Sequence, residues 1–256
     1  LNFQPRSLGE ILDSTFSMYK AQFNVYMKIS LLQVLVFTVG ALIVAGGYSA
    51  MGESGVVVIG AIIFIAVVMV NIGAVTGIVH IASEQLSDRH IEVKDALLFG
   101  FRKIAVQVAS TILYGIAITL GFILFILPGI YLANAFILFI QVNALESTGP
   151  WAGLKRSREL SKGSWWRIAA IIFLMSLLVG IMSLIIQLPL NLLTQVLSLD
   201  VFSKMIADNL VATITGSLFM PVTGISYTLL YYDLRVRKEN FDLHSAVEAV
   251  TDTTNL

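Results

Sequence analysis

Long runs free of Asp, Glu, Lys and Arg alternate along this chain with short segments in which charged and apolar residues recur at helical spacing. A helix needs about 20 apolar residues to cross a bilayer core, and the runs match that length. The first extends from Ile29 to about Gly47 and the second from about Val56 to His80. Between them lies Gly-Gly-Tyr-Ser-Ala-Met-Gly-Glu-Ser-Gly, a stretch whose glycines predict a turn. From Ile104 to Ala144 the uncharged stretch is about twice a span long, and Leu127-Pro128-Gly129 predicts a tight hairpin within it. A fifth span runs from about Trp166 to Leu188 and is expected to stop at Pro189. The sixth runs from about Asn209 to Tyr232, with Pro221 and Gly224 permitting a kink.

The short segments read as amphipathic helices. Ser7-Leu8-Gly9-Glu10 is a capping-box pattern, and Leu8, Ile11, Leu12, Phe16 and Tyr19 then share one face. A second segment sets Val93, Ala96, Leu97, Gly100 and Phe101 opposite Glu92, Lys94, Asp95 and Arg102. A third begins Gly149-Pro150-Trp151, with Pro at a favoured first position, and carries Leu154 and Leu160 opposite Lys155, Arg158, Glu159 and Lys162. Leu192, Val196, Leu199 and Phe202 suggest one more, over 191–208, lying on the membrane.

The expected fold is therefore all-α: a polytopic integral membrane protein with six transmembrane helices as three hairpins, each preceded by a cytoplasmic amphipathic helix. It forms one membrane domain over 1–256. Residues 1–28 hold the N-terminal amphipathic helix, and 29–232 the spans, with interfacial helices near 91–103, 149–163 and 191–208. Residues 233–256 make a cytoplasmic tail.

Charge adds direction to this pattern. The chain is 57% hydrophobic and only 12% charged, against roughly 25% charged in an ordinary soluble domain. Of its 16 Lys and Arg residues, every one but Lys204 lies in four clusters: before span one, after spans two and four, and after span six. With six spans all four clusters share one side, which the positive-inside rule makes cytoplasmic. Both termini are then cytoplasmic, in a bacterial or archaeal inner membrane. Residues 1–20 mix acids and bases before any apolar span, unlike a cleavable signal peptide.

Candidate chemistry is sparse. The chain has no cysteine, and its three histidines lack carboxylates at metal-ligand spacing, so neither a metal site nor any other cofactor is expected. No phosphate-binding loop, nucleophile elbow or dinucleotide fingerprint occurs, and the reading is non-enzymatic. Nothing points to nucleic acid. No ionisable residue occupies a span centre, where ion-coupled carriers often keep theirs. The polar residues Asn71, Asn134 and Gln141 could line a transport path, although interhelical packing explains such amides equally well. At the inner boundary Glu146 precedes the basic helix containing Arg156, and a pairing with a cytoplasmic Arg is expected. In the run Tyr231 to Glu239, Asp233 and Arg237 form an i, i+4 pair, while Arg235 and Lys238 could reach lipid phosphates.

At these residues the sequence resembles the membrane-domain family named after glycerophosphoryl diester phosphodiesterases. The resemblance runs through 3–12 with Tyr19, Leu127-Pro128-Gly129-Ile130-Tyr131, Glu146 through Gly163-Ser164-Trp165-Trp166, and Tyr232 to Glu239 with Phe241-Asp242-Leu243. Some relatives fuse this domain to a soluble phosphodiesterase barrel with acidic metal ligands and catalytic histidines. Those parts have no counterpart among these residues, so the resemblance implies no phosphodiesterase activity. The functional expectation is a module that binds membrane lipid, with anionic head groups favoured, or a lipid-like amphiphile, or recruits a protein partner at the cytoplasmic face. The contact candidates are Glu146, Arg156, Asp233, Arg235, Arg237 and Lys238. The alternative is a transporter or exporter of a small amphiphile or peptide.

Overall fold

Uncharged runs of this length leave the backbone no partner in lipid except itself, and every described element is accordingly a helix. The computed structural model of the chain describes residues 6–197 and 201–239, with the side chains of 45–56, 201, 202 and 205 left aside. In chain order the helices are α1 (Leu8–Ala21), α2 (Phe23–Gln85), α3 (Val93–Arg102), α4 (Ile104–Leu124), α5 (Ile126–Ala135), α6 (Phe139–Leu145), α7 (Pro150–Ser161), α8 (Trp165–Val196) and α9 (Val201–Glu239). Six segments are long and apolar enough to cross a membrane: Phe23–Val44, Val57–Gln85, Ile104–Leu124, Ile126–Leu145, Trp165–Val196 and Ile206–Glu239. The chain is a multi-pass membrane protein, all-helical among the described residues.

Several boundaries depart from expectation, each for a local reason. The glycine-rich stretch between the first two spans keeps helical backbone, so α2 runs through it without a break. A straight helix of 63 residues would reach about 95 Å. Instead the Tyr26 hydroxyl donates to Gln85 Oε1 at 3.0 Å, and a Cβ on Gly40 would lie 2.6 Å from Ile63 Cγ2. The run therefore doubles back between Gly40 and Ile63, a stretch whose glycines tolerate sharp bending.

The second reversal falls at Phe125, in extended backbone with φ −171° and ψ 157°, rather than at Pro128. Pro128 sits in the first turn of α5, where its missing N–H had no partner to lose. Gly121 and Gly129 bring α4 and α5 together, since a Cβ on Gly121 would lie 2.9 Å from the Gly129 Cα. The fourth span is itself interrupted between α5 and α6.

Pro189 does not end the fifth span. It lies inside α8, which continues to Val196. A proline removes one backbone bond, and membrane helices absorb that loss more readily than soluble ones. The surface helix expected over 191–208 is thus divided between the end of α8 and the start of α9, and residues 198–200 lie outside the described residues. Residues 1–5 and 240–256 also lie outside them, including most of the expected tail.

The core occupies one end of the bundle. Ile11, Tyr26, Ile29, Ile78, Ile81, Leu138, Leu160, Ile168, Ile225 and Tyr231 are fully or almost fully buried there. Toward the other end, Leu35, Leu42, Ile62, Phe64, Ile116, Leu120, Phe173, Leu184 and Ile185 are exposed, as surfaces solvated by lipid should be. The short helices α1, α3 and α7 wrap the buried end. Ser7 and Glu10 form the reciprocal capping box of α1, with Ser7 N–H donating to Glu10 Oε2 at 2.5 Å and Glu10 N–H to Ser7 Oγ at 3.2 Å. Helix α3 lies backbone-to-backbone on α2: a Cβ on Gly100 would overlap the Gly73 carbonyl oxygen, and one on Gly77 would come 2.9 Å from the Ala96 oxygen. His80 stacks on Phe99 across the same contact, with ring centroids 4.0 Å apart.

Candidate functional site

Charged side chains buried beside apolar helices must find partners, and at the buried end four arginines and three carboxylates do so in two adjoining networks. The first is built on Glu146. Helix α6 ends at Leu145, and a short link places Ser147 at φ 54° before Gly149 and Pro150 start α7. The Thr148 hydroxyl donates to Asn143 Oδ1 at 2.8 Å, and Lys103 Nζ donates to Ser147 Oγ at 2.7 Å, which fix that link. Glu146 is thereby turned toward α7, where Arg156 Nε donates to its Oε2 at 2.9 Å. The Tyr231 hydroxyl donates to Glu146 Oε1 at 2.9 Å and accepts from Arg235 at 3.1 Å. Glu239 joins Arg156 and Arg235 from the far side, the latter at 3.1 Å. Burial opposes the charge on Arg156, but the Glu239 and Glu146 carboxylates outweigh it and hold the guanidinium pKa above its ordinary value.

The second network surrounds Asp233, whose side chain is 0% exposed. Its Oδ1 accepts from the Arg6 backbone N–H at 2.8 Å and from Arg237 Nε at 3.1 Å. Its Oδ2 accepts from Arg167 Nε at 2.8 Å and from Arg237 Nε at 3.0 Å. Arg167 and Arg237 both also donate to the Arg6 carbonyl. One carboxylate thus ties the N-terminal segment, the start of α8 and the end of α9. Lys238 is drawn in as well, donating to the Glu159 carbonyl on α7.

The structure therefore brings Glu146, Arg156, Asp233, Arg235, Arg237 and Lys238 to one place. What it shows them holding is the protein itself. Arg235 faces Glu239 and Tyr231, and Lys238 a helix carbonyl. Arg6, Arg167, Tyr231 and Glu239 complete the networks without having been singled out. A signal was present for two of them: Tyr231, Arg235 and Glu239 recur every four residues and so share a helix face.

Asn71, on α2, lines a cavity of about 80 Å³ with Gln33, Thr213 and Ser217, and neither Asn134 nor Gln141 is among its lining residues. Asn134 Nδ2 donates to the Trp165 carbonyl at 2.9 Å, and Gln141 is buried in α6. Among the described residues no three imidazole or carboxylate groups converge as metal ligands would.

With this geometry in hand, no known protein family, no curated protein and no solved structure matches the chain.

Proposed function

We propose that this chain is a non-enzymatic inner-membrane module with both termini cytoplasmic, and that it binds lipid or a lipid-like amphiphile through its cytoplasmic face, where it could also recruit a protein partner. The membrane arrangement that goes with this reading is three hairpins, with α1, α3 and α7 at the inner interface.

The observation that carries the reading is a division of labour among the basic residues. Arg156, Arg167, Arg235 and Arg237 are paired internally. Lys20, Lys28, Lys94, Lys155, Arg158 and Lys162 are exposed and make no ion pair among the described residues. Each such cation near an anionic leaflet contributes about 1 kcal/mol of attraction, weakened by salt. The resemblance to the phosphodiesterase-associated membrane domains supports the same reading, because the resembling residues Glu146, Trp165 and 232–239 meet at this end. The test is native mass spectrometry of the protein extracted from its own membrane in mild detergent. Retention of anionic over zwitterionic lipid, declining with salt, is the expected result. Equal retention of both would sink the proposal, and a co-purifying protein in place of lipid would favour recruitment.

Transport remains the second reading, favoured by the cavity at Asn71, where Gln33, Thr213 and Ser217 stand among Val36, Phe37, Val67 and Val70. There the Gln33 amide donates to Met220 Sδ at 3.1 Å, and its buried Oε1 has no partner among the described residues. If this cavity belongs to a path, Asn71→Leu should abolish efflux of a transported amphiphile from proteoliposomes while leaving lipid retention intact.

A further inference from the structure

We propose that the cleft between the end of α7, the start of α8 and α5 binds a phosphate group, supplied at the membrane surface by a lipid head group. This rests on the lipid-binding reading above and gives it a place distinct from the paired networks.

The cleft has a volume of about 60 Å³, room for a compact oxyanion rather than a whole head group, and its lining includes Tyr131, Arg158, Lys162, Gly163 and Trp165. No carboxylate lines it. The ionisable and aromatic side chains around it are hydrogen-bond donors: a guanidinium, an ammonium, a phenol and an indole N–H, of which only the phenol can also accept. Neither Arg158 nor Lys162 makes an ion pair among the described residues, in contrast to Arg156 two residues away. The Trp165 indole Nε1 is buried and has no acceptor among the described residues, and an indole N–H can only donate.

Backbone features favour the same ligand. Helix α8, 32 residues long, begins at Trp165, and Ser164 provides no side-chain cap, so first-turn N–H groups and the positive end of the helix dipole lie at the cleft. Gly163, at φ 82°, makes the reversal between α7 and α8, and the space where its Cβ would stand is open. Asn134 steadies the turn from α5 through its bond to the Trp165 carbonyl. Apolar surface flanks the donors, since Ile130 is 43% and Trp166 is 81% exposed. A free phosphate has no use for that surface, whereas acyl chains do.

The test is titration of the full chain in dodecylmaltoside with dioctanoyl phosphatidic acid, read by native mass spectrometry. Dioctanoylglycerol, with the same chains and no phosphate, is the comparator, and inorganic phosphate the competitor. Arg158→Gln with Lys162→Gln should weaken binding about tenfold or more, and Trp165→Phe, which removes only the N–H, about threefold. Lys162→Arg should keep the affinity. Lys204→Gln, which removes a charge paired with Asp208 and outside the four cationic clusters, should change it little. Unfolding midpoints close to wild type certify the fold of each variant. Losses no greater than that of Lys204→Gln would overturn the cleft while leaving the lipid reading intact. Wild type binding dioctanoylglycerol as well as phosphatidic acid would overturn both. Binding of inorganic phosphate with no binding of the lipid would overturn the head-group source.

Discussion

Asp233→Asn is the sharpest perturbation of the paired networks. It keeps the side-chain shape and one acceptor oxygen, so the Arg6 N–H retains a partner, but the new amide NH2 faces the donors of Arg167 and Arg237. Two guanidinium groups then lie together around a neutral, buried residue that no longer compensates their charge. Removing one partner of a buried ion pair costs about 3–5 kcal/mol. Arg237, 36% exposed, can swing toward solvent, while Arg167, 20% exposed, is held by α8. The cost should therefore sit near the lower bound, about 3 kcal/mol, or roughly a hundredfold in the unfolding equilibrium. Reversible unfolding in mixed dodecylmaltoside and SDS micelles, followed by tryptophan fluorescence, measures it. Arg237→Gln combined with Asp233→Asn should cost less than the sum of the two, by about 1 kcal/mol or more, because the residues share a partner set. An Asp233→Asn midpoint equal to wild type, or strict additivity in the double variant, would refute the reasoning.

Two further substitutions probe other joints of the fold. Tyr231→Phe removes the hydroxyl between Glu146 and Arg235 and should lower stability by about 1–3 kcal/mol in the same assay, since it leaves a partly buried carboxylate one donor short. Gly100→Ala drives a methyl into the Gly73 carbonyl, which is backbone and cannot rotate aside. A destabilisation of about 1–3 kcal/mol is expected, accompanied by faster hydrogen exchange in α3 as it lifts from α2.

What the sequence made legible was whatever depends on composition and local spacing. The six apolar segments and the capping box of α1 follow from such rules, as does Pro150 opening α7. So does the Asp233–Arg237 pair, which lies on adjacent turns of one helix. Boundaries set by packing were not legible. Pro189 and Pro128 both look like stops, yet one is carried inside a long helix and the other opens α5, because helix–helix contacts decide where the chain turns. The long-range half of each network was equally hidden. Arg6 lies 227 residues from Asp233, and Glu146 lies 85 residues from Tyr231, so only the tertiary fold could join them. Tail residues that spacing leaves exposed are engaged through such long-range contacts, while the cations with no ion pair among the described residues lie on and just after α7, at the end of α1 and at the starts of α2 and α3.

Everything proposed for the cationic face depends on the side of the membrane it occupies, and a chain without cysteine permits a direct measurement. Single cysteines at the exposed positions Ser87 and Lys155, and at Ser54 in the segment between the first two spans, can be labelled with a membrane-impermeant maleimide on intact and on opened cells. Ser87→Cys and Lys155→Cys should react only after the membrane is opened, and Ser54→Cys should react on intact cells. Labelling of Ser87→Cys or Lys155→Cys on intact cells would place the cations outside and contradict the account.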